Sequence, residues 1–157
     1  MTEFACTNCG RPYPQTFEYK CSACGGVFGV RGGLSFDPAS IDRQQPGIWP
    51  YQDSFGLTDE VTPISLGEGN TPLVRMPIEG ADVWIKNEGA NPTGSFKDRL
   101  TTVEISALRA MGIRSAVEDS SGNAGASFAA YASAADIDGR VYVPDYASGP
   151  KRKQIDS

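Results

Sequence analysis

Four cysteines in two Cys-x-x-Cys pairs constrain the first 27 residues more than anything else in the chain. Cys6-Thr7-Asn8-Cys9-Gly10 and Cys21-Ser22-Ala23-Cys24-Gly25 are separated by eleven residues. Each pair turns two thiolates toward one point, and a glycine after the second cysteine relieves the turn. Two such turns supply the four thiolates that a tetrahedral zinc ion prefers. Redox disulfides or a mononuclear iron site are the alternatives for the same residues. A four-thiolate shell leaves no open coordination position, so its expected role is folding and not catalysis. A segment of about 25 residues needs such a staple, because it cannot bury enough apolar surface alone.

Beyond residue 62 the pattern changes to short apolar runs alternating with helical spacing. Val83-Trp84-Ile85, Ser115–Glu118 and Val141–Pro144 read as strands, and residues 63–75 as a turn-rich loop ending in another. Helices are expected from Lys97 to about Met111, from about Ala126 to Ala135, and from Gly149 to Ile155. Strand–helix alternation of this kind predicts an α/β fold with a parallel sheet. The domain reading is a four-cysteine segment over 1–27, a connecting arm over 28–62 and an α/β domain over 63–157.

The stretch Asn91-Pro92-Thr93-Gly94-Ser95-Phe96-Lys97-Asp98-Arg99 places a lysine at the head of the first of these helices. Pro92 and Gly94 break any regular element before it, Ser95 is a good N-cap, and Asp98 suits the first turn. Phe96, Leu100, Val103, Leu108 and Met111 follow at near-helical spacing, and Gly112 is a natural stop. The positive end of a helix disfavours an ammonium and favours the neutral amine that a Schiff base with a carbonyl cofactor requires. A lysine in a first turn is more often simply solvated, but here Pro, Gly and Ser frame it. Downstream, Ser120-Ser121-Gly122-Asn123-Ala124-Gly125 links a strand to a helix. Amides at a helix N-terminus bind anions, the serine hydroxyls suit a carboxylate, and Asn123 can hydrogen-bond a phenolate-like oxygen. Such loops are also common as plain turns, and Glu118 and Asp119 are unusual neighbours for an anion.

The chain has no histidine, so a general base must be Lys, Asp, Glu, Tyr or a substrate group. The net charge is −5, and no basic stretch exceeds Lys151-Arg152-Lys153. This argues against a nucleic-acid partner, including one for a four-cysteine module. No run of 18 apolar residues is present, so no membrane span is expected, and the protein reads as cytoplasmic.

Ser65-Leu66-Gly67-Glu68-Gly69-Asn70-Thr71-Pro72-Leu73, Lys86-Asn87-Glu88, Asn91 to Arg99 and Ser120 to Gly125 occur in an order that resembles threonine synthases. These are fold-type II pyridoxal-phosphate enzymes, some with an N-terminal zinc-ribbon-like segment of four cysteines. Related branches include cysteine and cysteate synthases, threonine dehydratases and tryptophan synthase β-like proteins. The resemblance implies a three-layer αβα domain with a parallel sheet behind a zinc-ribbon-like segment whose ligands are Cys6, Cys9, Cys21 and Cys24. It implies that Lys97 forms the Schiff base with pyridoxal 5′-phosphate and moves protons, with Phe96 beside the cofactor. Asn123 would contact the cofactor's 3′ oxygen, and Ser120, Ser121 and Gly122 the substrate carboxylate. The implied reaction converts O-phospho-L-homoserine and water to L-threonine and phosphate. Such enzymes are more than twice as long, with their cofactor-phosphate loop in the part that has no counterpart here. The expectation is therefore an enzyme segment completed by a separately encoded C-terminal half, with an inactive remnant or interaction module as the alternative.

Overall fold

The computed structural model describes residues 3–14, 18–32, 34–57, 60–146 and 149–156. They form two compact units, one of residues up to 41 with 53–56, the other of 42–52 with 57 onward. The segment 28–62 is thus shared between the two.

In the first unit, β1 (Glu3–Cys6) pairs antiparallel with β2 (Phe28–Arg31), with Cys6 opposite Phe28. The rings of Phe4, Tyr13 and Phe28 pack on one another, with centroids 4.8–6.5 Å apart. Among the described residues of this unit, Ala5, Cys6 and Cys21 are the buried ones.

In the second unit, β3 (Leu73–Ile78) and β4 (Ala81–Lys86) form an antiparallel hairpin. Its two-residue turn places Glu79 and Gly80 at φ 49° and 81°, the left-handed geometry that such hairpins need. Helix α1 (Lys97–Ala110) leads to β5 (Ser115–Asp119), then α2 (Asn123–Ala134), β6 (Asp138–Tyr142) and the short α3 (Pro150–Ile155). β5 and β6 run parallel, Ser115 opposite Asp138, and α2 packs on β6, α1 and α3. The expected parallel sheet is therefore a single pair of strands, and the hairpin is antiparallel and separate from it. The described elements do not by themselves make three layers.

Several boundaries differ from the sequence reading, those of α2 and β6 among them. α2 begins at Asn123 and not near Ala126, because the Ala126 amide already bonds the Gly122 carbonyl. β6 begins at Asp138, where its amide bonds the Arg114 carbonyl, and ends before Pro144.

The largest departure is the face that α1 buries. Of the apolar positions at helical spacing, Leu100, Phe96 and Met111 are exposed and Val103 and Leu108 half-buried, whereas Asp98, Thr101, Thr102, Ile105 and Ser106 are buried. Hydrogen bonds explain this inversion. The Trp49 indole donates to Thr102 Oγ1 (3.0 Å), Thr102 donates to the Ile64 carbonyl (2.7 Å), and Ser106 Oγ accepts the Ile64 amide (2.8 Å). The hydroxyls of Thr102 and Ser106 thus anchor two distant loops, while Ile105 reaches the apolar core of Phe128, Tyr131, Ala132, Ala135 and Ile137.

A second anchor ties the hairpin's approach to α1. Arg99 grips Glu88 at 2.7 and 2.9 Å, Thr71 donates to Glu88 at 2.7 Å, and Asn91 Nδ2 donates to it at 3.0 Å. The Arg99 guanidinium, helped by Thr71, holds the Glu88 carboxyl down to about 2 from its ordinary 4.5. A depressed carboxylate stabilises the fold above its unfolded value and loses that contribution as pH falls. Arg99→Leu should therefore cost about 1–3 kcal/mol at neutral pH. Urea unfolding should show the difference shrinking between pH 4.5 and 2, the window of the Glu88 shift. A variant gap that does not change with pH would contradict the assignment.

Candidate functional site

The four cysteine sulfurs lie within 4.8 Å of one another, with Cys6–Cys24 at 3.5 Å and Cys9–Cys21 at 3.7 Å. Sulfurs around one zinc ion stand about 3.8 Å apart, given ~2.3 Å bonds in a tetrahedron. The set therefore fits a single tetrahedral metal ion. Matching turns bring the thiols together. The Gly10 amide bonds the Cys6 carbonyl and the Gly25 amide the Cys21 carbonyl, with both glycines at positive φ, 77° and 71°. The Gly26 amide, with Asn8 and the neighbouring thiols, holds Cys24 down to about 6, and the Cys9 amide lowers Cys6. Cys6 and Cys24 are thus biased toward the thiolate that ligates a metal, whereas the neighbouring thiols and burial push Cys9 up to about 11.

In the second unit, Lys97 is the first residue of α1 and is half-buried. Phe96 and not Ser95 takes the N-cap position, but Ser95 Oγ still accepts the Lys97 amide at 3.2 Å. Lys97 Nζ lies 4.8 Å from the centroid of the exposed Phe96 ring. Among the described residues it has no carboxylate partner. Lys151, the other lysine at this turn, is committed: its Nζ donates to the Thr93 carbonyl (2.9 Å) and to Gln154 (3.0 Å). One amine at the turn is therefore occupied and the other rests on an aromatic face.

The Ser120–Gly125 loop is where the sequence placed it, between β5 and α2. The Gly122 amide bonds Ser120 Oγ at 3.3 Å, and no side chain caps the start of α2. The opening amides of the helix have no capping oxygen, which suits an anionic group. Ser121 and Asn123 are exposed, and Ser120 and Gly122 half-buried. Gly125 is required by closeness: a Cβ there would stand 2.3 Å from the Ser120 carbonyl oxygen. Among the described residues no hydrogen bond joins Lys97 to this loop directly. The link is Asp98, next to Lys97, which accepts from Ser127 Oγ at 2.7 Å, one turn beyond Asn123.

Sequence reasoning missed Asp98, Thr93 and Ser127 as a unit, and also Glu68. Fully buried, Glu68 accepts from Tyr131 (2.7 Å), Ser65 (3.1 Å) and the Leu66 amide (3.0 Å). Burial and that carboxylate push the Tyr131 phenol up. The available signal was spacing: Asp98, Thr102 and Ser106 recur every four residues, as do Asn123, Ser127 and Tyr131. A groove of about 620 Å³ opens beside this region, lined by α2, α3, Pro92 and Thr93, but not by Lys97 or by residues 120–123.

Residues 64–157 match the family model described as pyridoxal-phosphate dependent enzyme. The chain belongs to that family. It is similar to threonine synthase of Mycobacterium leprae, 42% identical over 116 residues, which is 71% of this chain and 32% of the relative. It is also similar to the threonine synthase of Methanocaldococcus jannaschii, 34% identical over 80% of this chain and 34% of the relative. With that of Methanosarcina acetivorans it is 31% identical over 92% of this chain and 37% of the relative. The chain thus spans about a third of the length of the curated relatives it matches. Among the described residues no helix is long and apolar enough to cross a membrane.

Gly125→Ala tests the fit of the loop on α2. Alanine is the better helix former, yet overpacking against Ser120 should cost about 1–3 kcal/mol. The urea midpoint should fall. A raised midpoint would show that residues 120–122 move aside freely.

Proposed function

We propose that this chain is the lysine-bearing segment of a threonine-synthase-like, pyridoxal-phosphate-dependent lyase. Its reaction converts O-phospho-L-homoserine and water to L-threonine and phosphate. The observation that carries the reading is Lys97, uncommitted at the head of α1 and tied through Asp98 and Ser127 to the uncapped start of α2. The family match and the names of the relatives support the cofactor class and the reaction.

Pyridoxal phosphate, when bound, supplies the electron sink for reactions at amino-acid carbons. Lys97 is the group that would hold its aldehyde carbon and then move protons with the freed amine. Phe96 provides a flat apolar face beside that amine. Ser120, Ser121 and Gly122 would orient a substrate carboxylate by hydroxyl and amide donors, and Asn123 would donate to the cofactor's ring oxygen. The Cys6, Cys9, Cys21 and Cys24 set would hold a structural zinc ion that replaces the missing apolar core of the first unit. The reading includes further fold, on this polypeptide or on a separately encoded C-terminal half. The exposed Leu73, Met76, Ile78 and Trp84 of the hairpin, and Val117 and Tyr142 of the parallel pair, offer it apolar surface.

Two experiments test the reading. Pyridoxal phosphate added to the chain, followed by borohydride reduction and peptide mass mapping, should mark Lys97 and leave Lys151 unmarked. Lys97→Ala should abolish the adduct. Adducts spread over all lysines would contradict the assignment. Separately, Cys21→Ser should lower bound zinc below one equivalent by metal analysis and loosen the first unit, because three thiolates leave the ion open. Unchanged stoichiometry would contradict a four-cysteine site.

A further inference from the structure

Asp98 is fully buried, and its carboxylate accepts three hydrogen bonds from uncharged donors. Oδ2 takes the Thr93 amide at 2.7 Å; Oδ1 takes Thr93 Oγ1 at 2.5 Å and Ser127 Oγ at 2.7 Å. The two bonds to Thr93 close the turn that carries Lys97, which already bends at Gly94 (φ 79°), where the amide bonds the Asn91 carbonyl at 2.8 Å. Turn closure does not need Ser127. The third bond does something else: it is the one side-chain hydrogen bond between α1 and α2 among the described residues.

The core contact between the two helices is apolar. α1 offers Ile105 and Leu108, and α2 offers Ala132, Phe128 and Tyr131. Burial of that kind is non-directional, and the other polar anchors of the two helices act through residues 64–68, with Ser106 and Thr102 on Ile64 and Tyr131 on Glu68. A hydrogen bond is directional, and the buried 2.7 Å bond from Ser127 to Asp98 is one of good length. It sits at the end of the pair where both ligand-facing elements begin: Asp98 follows Lys97 directly, and Ser127 stands one turn after Asn123.

We propose that Asp98 and Ser127 are positioning residues, whose bond sets the axial register of α1 against α2 and so aligns the Lys97 amine with the anion-holding loop at Ser120–Asn123. The inference rests on the reading of Lys97 as the cofactor lysine. Ser127 is the better position to probe, since its hydroxyl can be removed while the Thr93–Asp98 closure stays in place and alanine suits a helix interior.

The test compares the wild-type chain with Ser127→Ala and Ser127→Thr by two readings. The first is hydrogen exchange by mass spectrometry over 93–97 and 120–125, with the β3–β4 hairpin as internal reference. The second is the pyridoxal phosphate concentration that half-saturates the borohydride-trapped Lys97 adduct. Ser127→Ala should keep the wild-type circular dichroism spectrum. It should speed exchange in both segments together but not in the hairpin, and raise the half-saturating concentration at least tenfold. Ser127→Thr should return both readings toward wild type. A folded Ser127→Ala chain with unchanged exchange, or with faster exchange and an unchanged adduct, overturns the proposal. If the alanine variant loses the fold, Ser127→Cys carries the same readings with a weaker donor in place. Should the wild-type chain form no Lys97 adduct while Ser127→Ala still loosens both segments, the cofactor reading falls and the coupling of the two segments stands.

Discussion

The second unit depends on how one buried carboxyl group, that of Asp98, is satisfied without a cation. No ion pair reaches Asp98 among the described residues, so its desolvation is offset by hydrogen bonds alone. Its place in the first turn of α1 adds the helix field, which favours an anion there. The arrangement is brittle in one direction. An apolar residue at 98 would leave the Thr93 amide and two hydroxyls buried and unpaired, a larger loss than any single bond gained. The same carboxylate folds the lysine turn and binds α2, so the local geometry of Lys97 and the packing of the two helices cannot be varied independently.

This dependence on polar anchors extends along α1. Thr102 and Ser106 hold Ile64 and Trp49, Arg99 holds Glu88 and Thr71, and on the partner helix Tyr131 holds Glu68. The loops before the hairpin have few apolar residues to bury, and short hydroxyls reach their backbone without opening space. Gly47 and Gly69 serve the same closeness: a Cβ at Gly47 would meet the Glu68 carbonyl at 2.4 Å, and one at Gly69 would meet Ile48 at 2.8 Å. Apolar side chains are left on the outer surface, with Leu100 and Trp84 more than half exposed. Exposed apolar surface on this scale is characteristic of contact surfaces.

What the sequence disclosed follows the range of the interaction. The Cys-x-x-Cys turns and the Pro92–Gly94 break are local, and both stand where they were read. The residue bounds of α2 and β6 were missed by two or three positions. The start of α2 is set by a backbone bond to Gly122, and the register of β6 by its pairing with β5 across an intervening helix. The first is local but falls on Gly122 and Asn123, which carry no apolar spacing, and the second leaves no mark on adjacent residues. The inverted face of α1 was hidden for a different reason: hydrophobic spacing assumes that burial is apolar, and here the partners are backbone groups of loops some 40 residues away in sequence. Asp98 was legible as a first-turn acid, which is true but minor beside its role as the acceptor for Thr93 and Ser127.

The absence of histidine sharpens the chemistry available at the lysine turn. Each titratable neighbour there is already bound: Asp98 by three donors, Glu88 by Arg99 and Thr71, and Lys151 by Thr93 and Gln154. Tyr131, whose phenol is pushed up by burial, spends its proton on Glu68. A group that exchanges protons during a reaction must change partners at little cost, and networks this saturated do not. Among the described residues, Lys97 alone at the turn rests on nothing more directional than the face of Phe96, a contact of about 0.5–1 kcal/mol at an exposed site. The surrounding residues are thus built to hold still, and the one side chain left loosely held is the amine that the proposed reaction asks to move.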